Sequence, residues 1–254
     1  MTDAPILLIA IGAAFAGFVQ GLSGFGFSLC ALSLWAWTLD PELAAVLSVF
    51  GALTGQLLAA FAVRRGFEAK DVLPFIAGGL LGLPLGLWLL PHVDTVVFRG
   101  FVGTLLAVWC PLMLLSPRLP RLRFGGPIAN RLGDALAGAA GGAMGPLGGF
   151  TGAVPTLWCT LRGYERDLQR AVVQNFNLAI LAVTMASYLA RGMVQPAMWP
   201  LMAVVAPALL LPALLGMKVY VGISPLAFRN IVLTLLTASG IAMLANALPQ
   251  LLRR

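Results

Sequence analysis

Apolar runs of about twenty residues recur along this chain, and they restrict its fold more than any other feature. Positions 72–90, for example, hold no charged residue at all. A run of that length fits the hydrocarbon core of a bilayer, where every backbone N–H and C=O must find its partner within the protein. Only helices and closed barrels meet that condition. The runs here are long and do not alternate in polarity, which leaves helices. Composition agrees. Of 254 residues, 60% are hydrophobic and 10% charged, more apolar surface than one soluble core of this size can hide.

The net charge of +7 comes from short basic stretches between the apolar runs. That is the pattern of membrane topology, and no nucleic-acid partner is read from it. With eight spans and a cytoplasmic start, Arg64, Arg65, Lys70, Arg118, Arg121, Arg123, Arg131, Arg191, Arg253 and Arg254 share one side. The expectation is therefore an inner-membrane protein with both termini in the cytoplasm. Arg162, Arg166 and Arg170 are the main exceptions. The first five residues carry Asp3 and no Lys or Arg, so the first apolar segment reads as a retained span rather than a cleaved leader. Cys30, Cys110 and Cys159 are isolated in apolar runs and suggest neither a disulfide framework nor a metal site. No cofactor motif is visible.

The chain also repeats itself. The glycine-rich stretch at 16–26 returns loosely at 137–149. Ala45-Val46-Leu47-Ser48 returns as Ala171-Val172-Val173-Gln174. Phe98-Arg99 followed by Thr104-Leu105-Leu106 returns as Phe228-Arg229 followed by Thr234-Leu235-Leu236. The expectation is an all-α integral membrane protein of about eight transmembrane helices in two tandem four-helix repeats. The first helix of each is broken by glycine. The first repeat covers 1–117, a basic linker 118–132 and the second repeat 133–254. Spans are expected at 5–39, 43–63, 72–90 and 98–115, then at 133–161, 171–190, 197–219 and 230–248. An even number of crossings per unit makes the repeats parallel. The segment 5–39 is too long for one crossing, so it either re-enters at its glycines or forms two spans.

Glycine breaks at matching places point to a transporter site. Gly21, Gly24 and Gly26, with Gly145, Gly148 and Gly149, are candidates to unwind a helix and offer N–H groups to an anion. The bland alternative is close helix packing at small-xxx-small spacing. Gln20 and Ser23 flank the first break, and Thr151 follows the second. Ser48, Gln174 and Asn175 sit inside spans, where polar groups need partners or a cavity. Arg99 and Arg229 either attract the anion or snorkel to the interface. Gly21-Leu22-Ser23-Gly24 also fits an intramembrane serine hydrolase, but the one histidine, His92, falls in a loop far along the chain. A scaffold without a solute path is a further alternative.

In order and duplication these motifs resemble the TauE/SafE membrane transporters, also called sulfite exporters. The units are Gly21-Leu22-Ser23-Gly24-Phe25-Gly26, Ala45-Val46-Leu47-Ser48, the Pro84 span and Phe98-Arg99, with their counterparts after residue 133. The first glycine cluster departs from the family pattern in reading Gly26-Phe27-Ser28. The resemblance implies export of sulfite, sulfonates or another small anion such as a carboxylate, by alternating access between the repeats. Beyond that anion and the lipid bilayer it names no partner, and the oligomeric state is left open.

Overall fold

The computed structural model describes residues 3–23, 26–62, 69–116, 126–218 and 225–252. Ten α-helices follow one another: α1 (Asp3–Ser23), α2 (Phe27–Trp35), α3 (Pro41–Ala62), α4 (Ala69–Leu89), α5 (Thr95–Leu115), α6 (Pro127–Met144), α7 (Ala153–Leu161), α8 (Arg166–Ala190), α9 (Trp199–Lys218) and α10 (Pro225–Leu252). Single 3-10 turns at Leu90–His92 and Pro196–Met198 precede α5 and α9. No strand occurs among the described residues. The second and seventh helices are short, and the order of lengths is similar in the first five and the last five.

Six helices, α3, α4, α5, α8, α9 and α10, are long and apolar enough to cross a membrane. The remaining four form two hairpins. Trp35, the last residue of α2, packs on the bare face of Gly12 in the middle of α1. The short helix therefore runs back along the long one. Trp158 of α7 packs on Gly133 of α6 in the same way, and its indole N–H donates to Asp134 at 2.7 Å. The turns have a local cause. Gly26, at the start of α2, has φ 98, and Gly148 and Gly149 have φ 138 and 80, a region where a Cβ is strained. Where eight spans were expected, six helices are long and apolar enough to cross, with two hairpins beside them, and α6 begins at Pro127, inside the stretch expected as linker.

Each hairpin leans on a helix from the other end of the chain. The closest pairings are α1 with α9, α6 with α4, and α5 with α10. All three rely on glycine. A Cβ at Gly78, Gly82 or Gly86 of α4 would overlap the carbonyls of Ala135, Ala139 and Ala143, and one at Gly142 would overlap that of Gly79. On α1, Gly17 lies so near α9 that a Cβ would sit 2.6 Å from the Leu209 carbonyl. Helices inside lipid gain little from hydrophobic burial against each other, so backbone contact through small residues supplies the attraction.

The same contacts fix direction. Along α4 and α6 the paired numbers rise together, so these helices are parallel; the same holds for α1 and α9. Along α5 and α10 they run oppositely: Gly100 meets Leu251, Gly103 meets Met243, and Gly240 meets Leu106. The helices opening with Phe98-Arg99 and Phe228-Arg229 should share a direction if the repeats were parallel. They are antiparallel. The cause is the hairpin, which turns back toward the end where it enters and leaves three long apolar helices, an odd number, in each set of five. Taking the end where α1 begins as lower, Arg99 and Arg191 lie low. Lys70, Arg131, Arg162, Arg170 and Arg229 lie high.

Replacing Gly142 by leucine drives a side chain into the Gly79 backbone, which has no flexible end to yield. The expected cost is about 3 kcal/mol, seen as a large drop in unfolding temperature in detergent. Gly100→Ala meets only side-chain atoms, the Leu251 end at 3.3 Å and the Ala247 Cβ at 3.9 Å, and should shift stability by no more than about 0.5 kcal/mol in the same assay.

Candidate anion-binding site

The two hairpin tips meet inside the bundle around a cavity of about 40 Å³. From the first hairpin come Gln20 of α1 and Gly26, Phe27 and Ser28 at the start of α2. From the second come Gly149, Phe150 and Thr151 of the tip, with Gly152 and Ala153 opening α7. Gln56 of α3, Asn177 of α8 and Trp109 of α5 close the sides. The starts of α2 and α7 thus face one space, and the two helices run from it toward opposite ends.

The first N–H groups of a helix have no acceptor within it, and the helix start carries about half a positive charge. Serine, threonine, aspartate or asparagine usually caps such a start. Here Gly26 and Gly152 occupy the capping positions, and no side chain caps either helix. No charged side chain lines the cavity among the described residues. Its electrostatics are therefore those of two helix starts in a low-dielectric interior, which favours an anion.

Side chains trim the wall. The Thr151 hydroxyl donates to Asn177 Oδ1 at 2.8 Å, and both residues are buried. Gln20 Nε2 donates to the Ala52 carbonyl at 3.2 Å. The Ser28 hydroxyl and Gln20 Oε1 are buried without a hydrogen-bond partner among the described residues. Behind the wall, the tip of the second hairpin is tied down twice. Ser48 of α3 donates to the Gly148 carbonyl at 2.8 Å, and the Tyr188 hydroxyl of α8 donates to that of Pro146.

Of the residues singled out from sequence, Gln20, Gly26, Gly149 and Thr151 line the cavity together. Ser48, Gly145 and Gly148 belong to the support of the second tip, and Gly21 packs against the Ala213 carbonyl of α9. Gln174 is buried outside the cavity wall, and Asn175 donates to Ala171 of its own helix at 2.8 Å. Gly24 and the Ser23 side chain lie outside the described residues. Arg99 and Arg229 stand at helix ends. Arg99 donates through Nε to the Ala36 carbonyl at 2.9 Å and through Nη2 to that of Trp37 at 2.8 Å. It caps the negative end of α2 and joins it to the start of α5. Arg229 donates to the Met113 carbonyl at 3.2 Å, near the end of α5.

Ser28 was not among the candidates, whereas Gln56 and Asn177 stand out in the sequence as polar residues within spans, one or more of which was expected to line the path. Ser28 follows the glycine cluster by two residues and sits in the first turn of α2, a signal present in the sequence. Asn177 lies three positions after Gln174, and without a known neighbour nothing shows which face of α8 looks inward.

Arg99→Lys replaces a fork by a single ammonium, which cannot serve both carbonyls in the same geometry. A loss of about 1–2 kcal/mol is expected, read as a lower unfolding temperature. Loss of transport with stability unchanged would instead make Arg99 an anion ligand.

No curated protein and no solved structure matches the chain. The family model described as sulfite exporter TauE/SafE matches residues 9–243, nearly the whole length, and the chain belongs to that family of membrane transporters.

Proposed function

We propose that this protein exports small sulfur-containing anions, sulfite foremost, and seats them between the starts of α2 and α7. The observation that carries this reading is the pair of uncapped helix starts facing one cavity without a charged side chain in its wall. Each contributes about half a positive charge, and helix-start N–H groups suit oxygens rather than an apolar solute. A volume of about 40 Å³ has room for roughly three water-sized groups, the scale of a compact oxyanion. Broken backbone at this depth is tolerated where protein or a watery cavity covers it, and here it borders such a cavity.

The transport cycle follows from the two hairpins. The first five and last five helices act as inverted repeats, each a hairpin and three crossings, related by an axis in the membrane plane. The exchanged pairings of α1 with α9 and α6 with α4 support this reading. Rocking of one hairpin and its partner helix against the other opens the seat first to one side and then to the other. The positive-inside rule puts the end bearing Lys70, Arg131, Arg162, Arg170 and Arg229 in the cytoplasm. Both termini then face outward, the reverse of the orientation that eight spans gave. An anion leaving a cell that is negative inside gains about 2.3 kcal/mol per charge per 100 mV, so export needs no second ion.

Proteoliposomes loaded with labelled sulfite test the reading. Release that depends on an imposed potential, and that empty liposomes lack, is the expected result. Ser28→Ala should weaken apparent affinity about tenfold, the worth of a hydrogen bond to a charged group. No release of any small sulfur oxyanion from folded protein would remove the substrate class.

A further inference from the structure

We infer that the seat takes its anion with a single charge and one O–H group, which for sulfite is hydrogen sulfite, and turns the dianion away. The inference rests on the proposed function and adds the form of the substrate.

Charge is the first ground. Two helix starts of about half a charge each supply about one positive charge. Among the described residues lining the cavity there is no Lys, Arg or His to add another. A monoanion is matched. A dianion would carry a second charge into a low-dielectric interior without a counter-charge.

The second ground is Gln20. Its amide lies within 3.2 Å of the Ala52 carbonyl. A carbonyl oxygen can only accept, so the amide group facing it is the NH2, and this fixes the position of Oε1. That oxygen is buried in a residue only 4% exposed, and no described residue donates to it. The amide rests on Gly55, which has no side chain to offer. Gln20 thus brings a fixed, unmet acceptor to the wall, opposite the helix starts and the Ser28 hydroxyl. A bare anionic oxygen is repelled there, whereas an O–H pairs with it. Ser28, also 4% exposed and also unmet, can donate its hydroxyl to one of the charged oxygens. The complementary ligand has two acceptors and one donor.

Equilibrium binding to the purified full-length protein at a series of pH values tests this, with sulfite and methanesulfinate as probes. In methanesulfinate a methyl stands where hydrogen sulfite has its hydroxyl, and the charge stays at one across the range. Apparent affinity for total sulfite should fall about tenfold per pH unit on the alkaline side of the hydrogen sulfite equilibrium. It should be constant when expressed per hydrogen sulfite. Methanesulfinate should bind at least tenfold more weakly, with no slope, because the acceptor of Gln20 stays unmet. Gln20→Met should narrow that ratio. If that variant does not fold, the wild-type series decides alone. Equal slopes for both probes would put the titrating proton on the protein and overturn the inference. So would affinity that rises with pH, and that result would leave sulfite export standing. No binding of sulfite at any pH would overturn both.

Discussion

A helix that stops inside a membrane must be walled in by protein, and the structure is organised around that requirement. The N–H groups at the starts of α2 and α7 cannot be left to lipid. They are enclosed because α1 and α6 approach their partner helices closely enough to leave no gap. That approach depends on bare glycine faces, with Gly17 against Leu209 and the Gly78–Gly86 row against α6. A methyl group at most of these positions would push the walls apart. The packing and polar readings of the glycine clusters are therefore not rivals. Some glycines let the helices touch, and others, such as Gly26 and Gly149, bend the chain so that the helix starts face inward.

Using helix starts in place of basic side chains has an energetic logic. A buried guanidinium without a partner is costly whenever the site is empty. Half a charge spread over backbone N–H groups is fixed by the helix, cannot swing away and cannot be neutralised by a proton. Arginine is used instead where it meets carbonyls permanently. Arg99 holds the far end of α2, so the positive start of that helix faces the cavity while its negative end is bonded at the edge of the bundle.

Much of this was legible in the sequence. The six long apolar helices, the glycine breaks and the proline-bearing α4 and α9 follow from apolar length and local backbone chemistry. Direction did not follow. Hydropathy reports how long an apolar segment is, and 5–39 is equally apolar whether it crosses or folds back. Only Trp35 on Gly12 and Trp158 on Gly133 reveal the return. In each set of five the first segment, which the sequence leaves open between re-entry and crossing, decides the relation between the sets. At the site, Gln20 and Thr151 stood out because they flank the breaks. Asn177 joins them through contacts between distant segments, which spacing along one helix does not encode.

The exchange of partners also sets an order of assembly during synthesis. When α6 emerges, α4 is already in the membrane, and the second hairpin can dock at once. The first hairpin has no such host. The face of α1 that carries Gly17 must wait until Leu209 has been made, with about three quarters of the chain between them. Until then its broken backbone has no permanent wall, so of the two hairpins the one made first is the later to reach its final place.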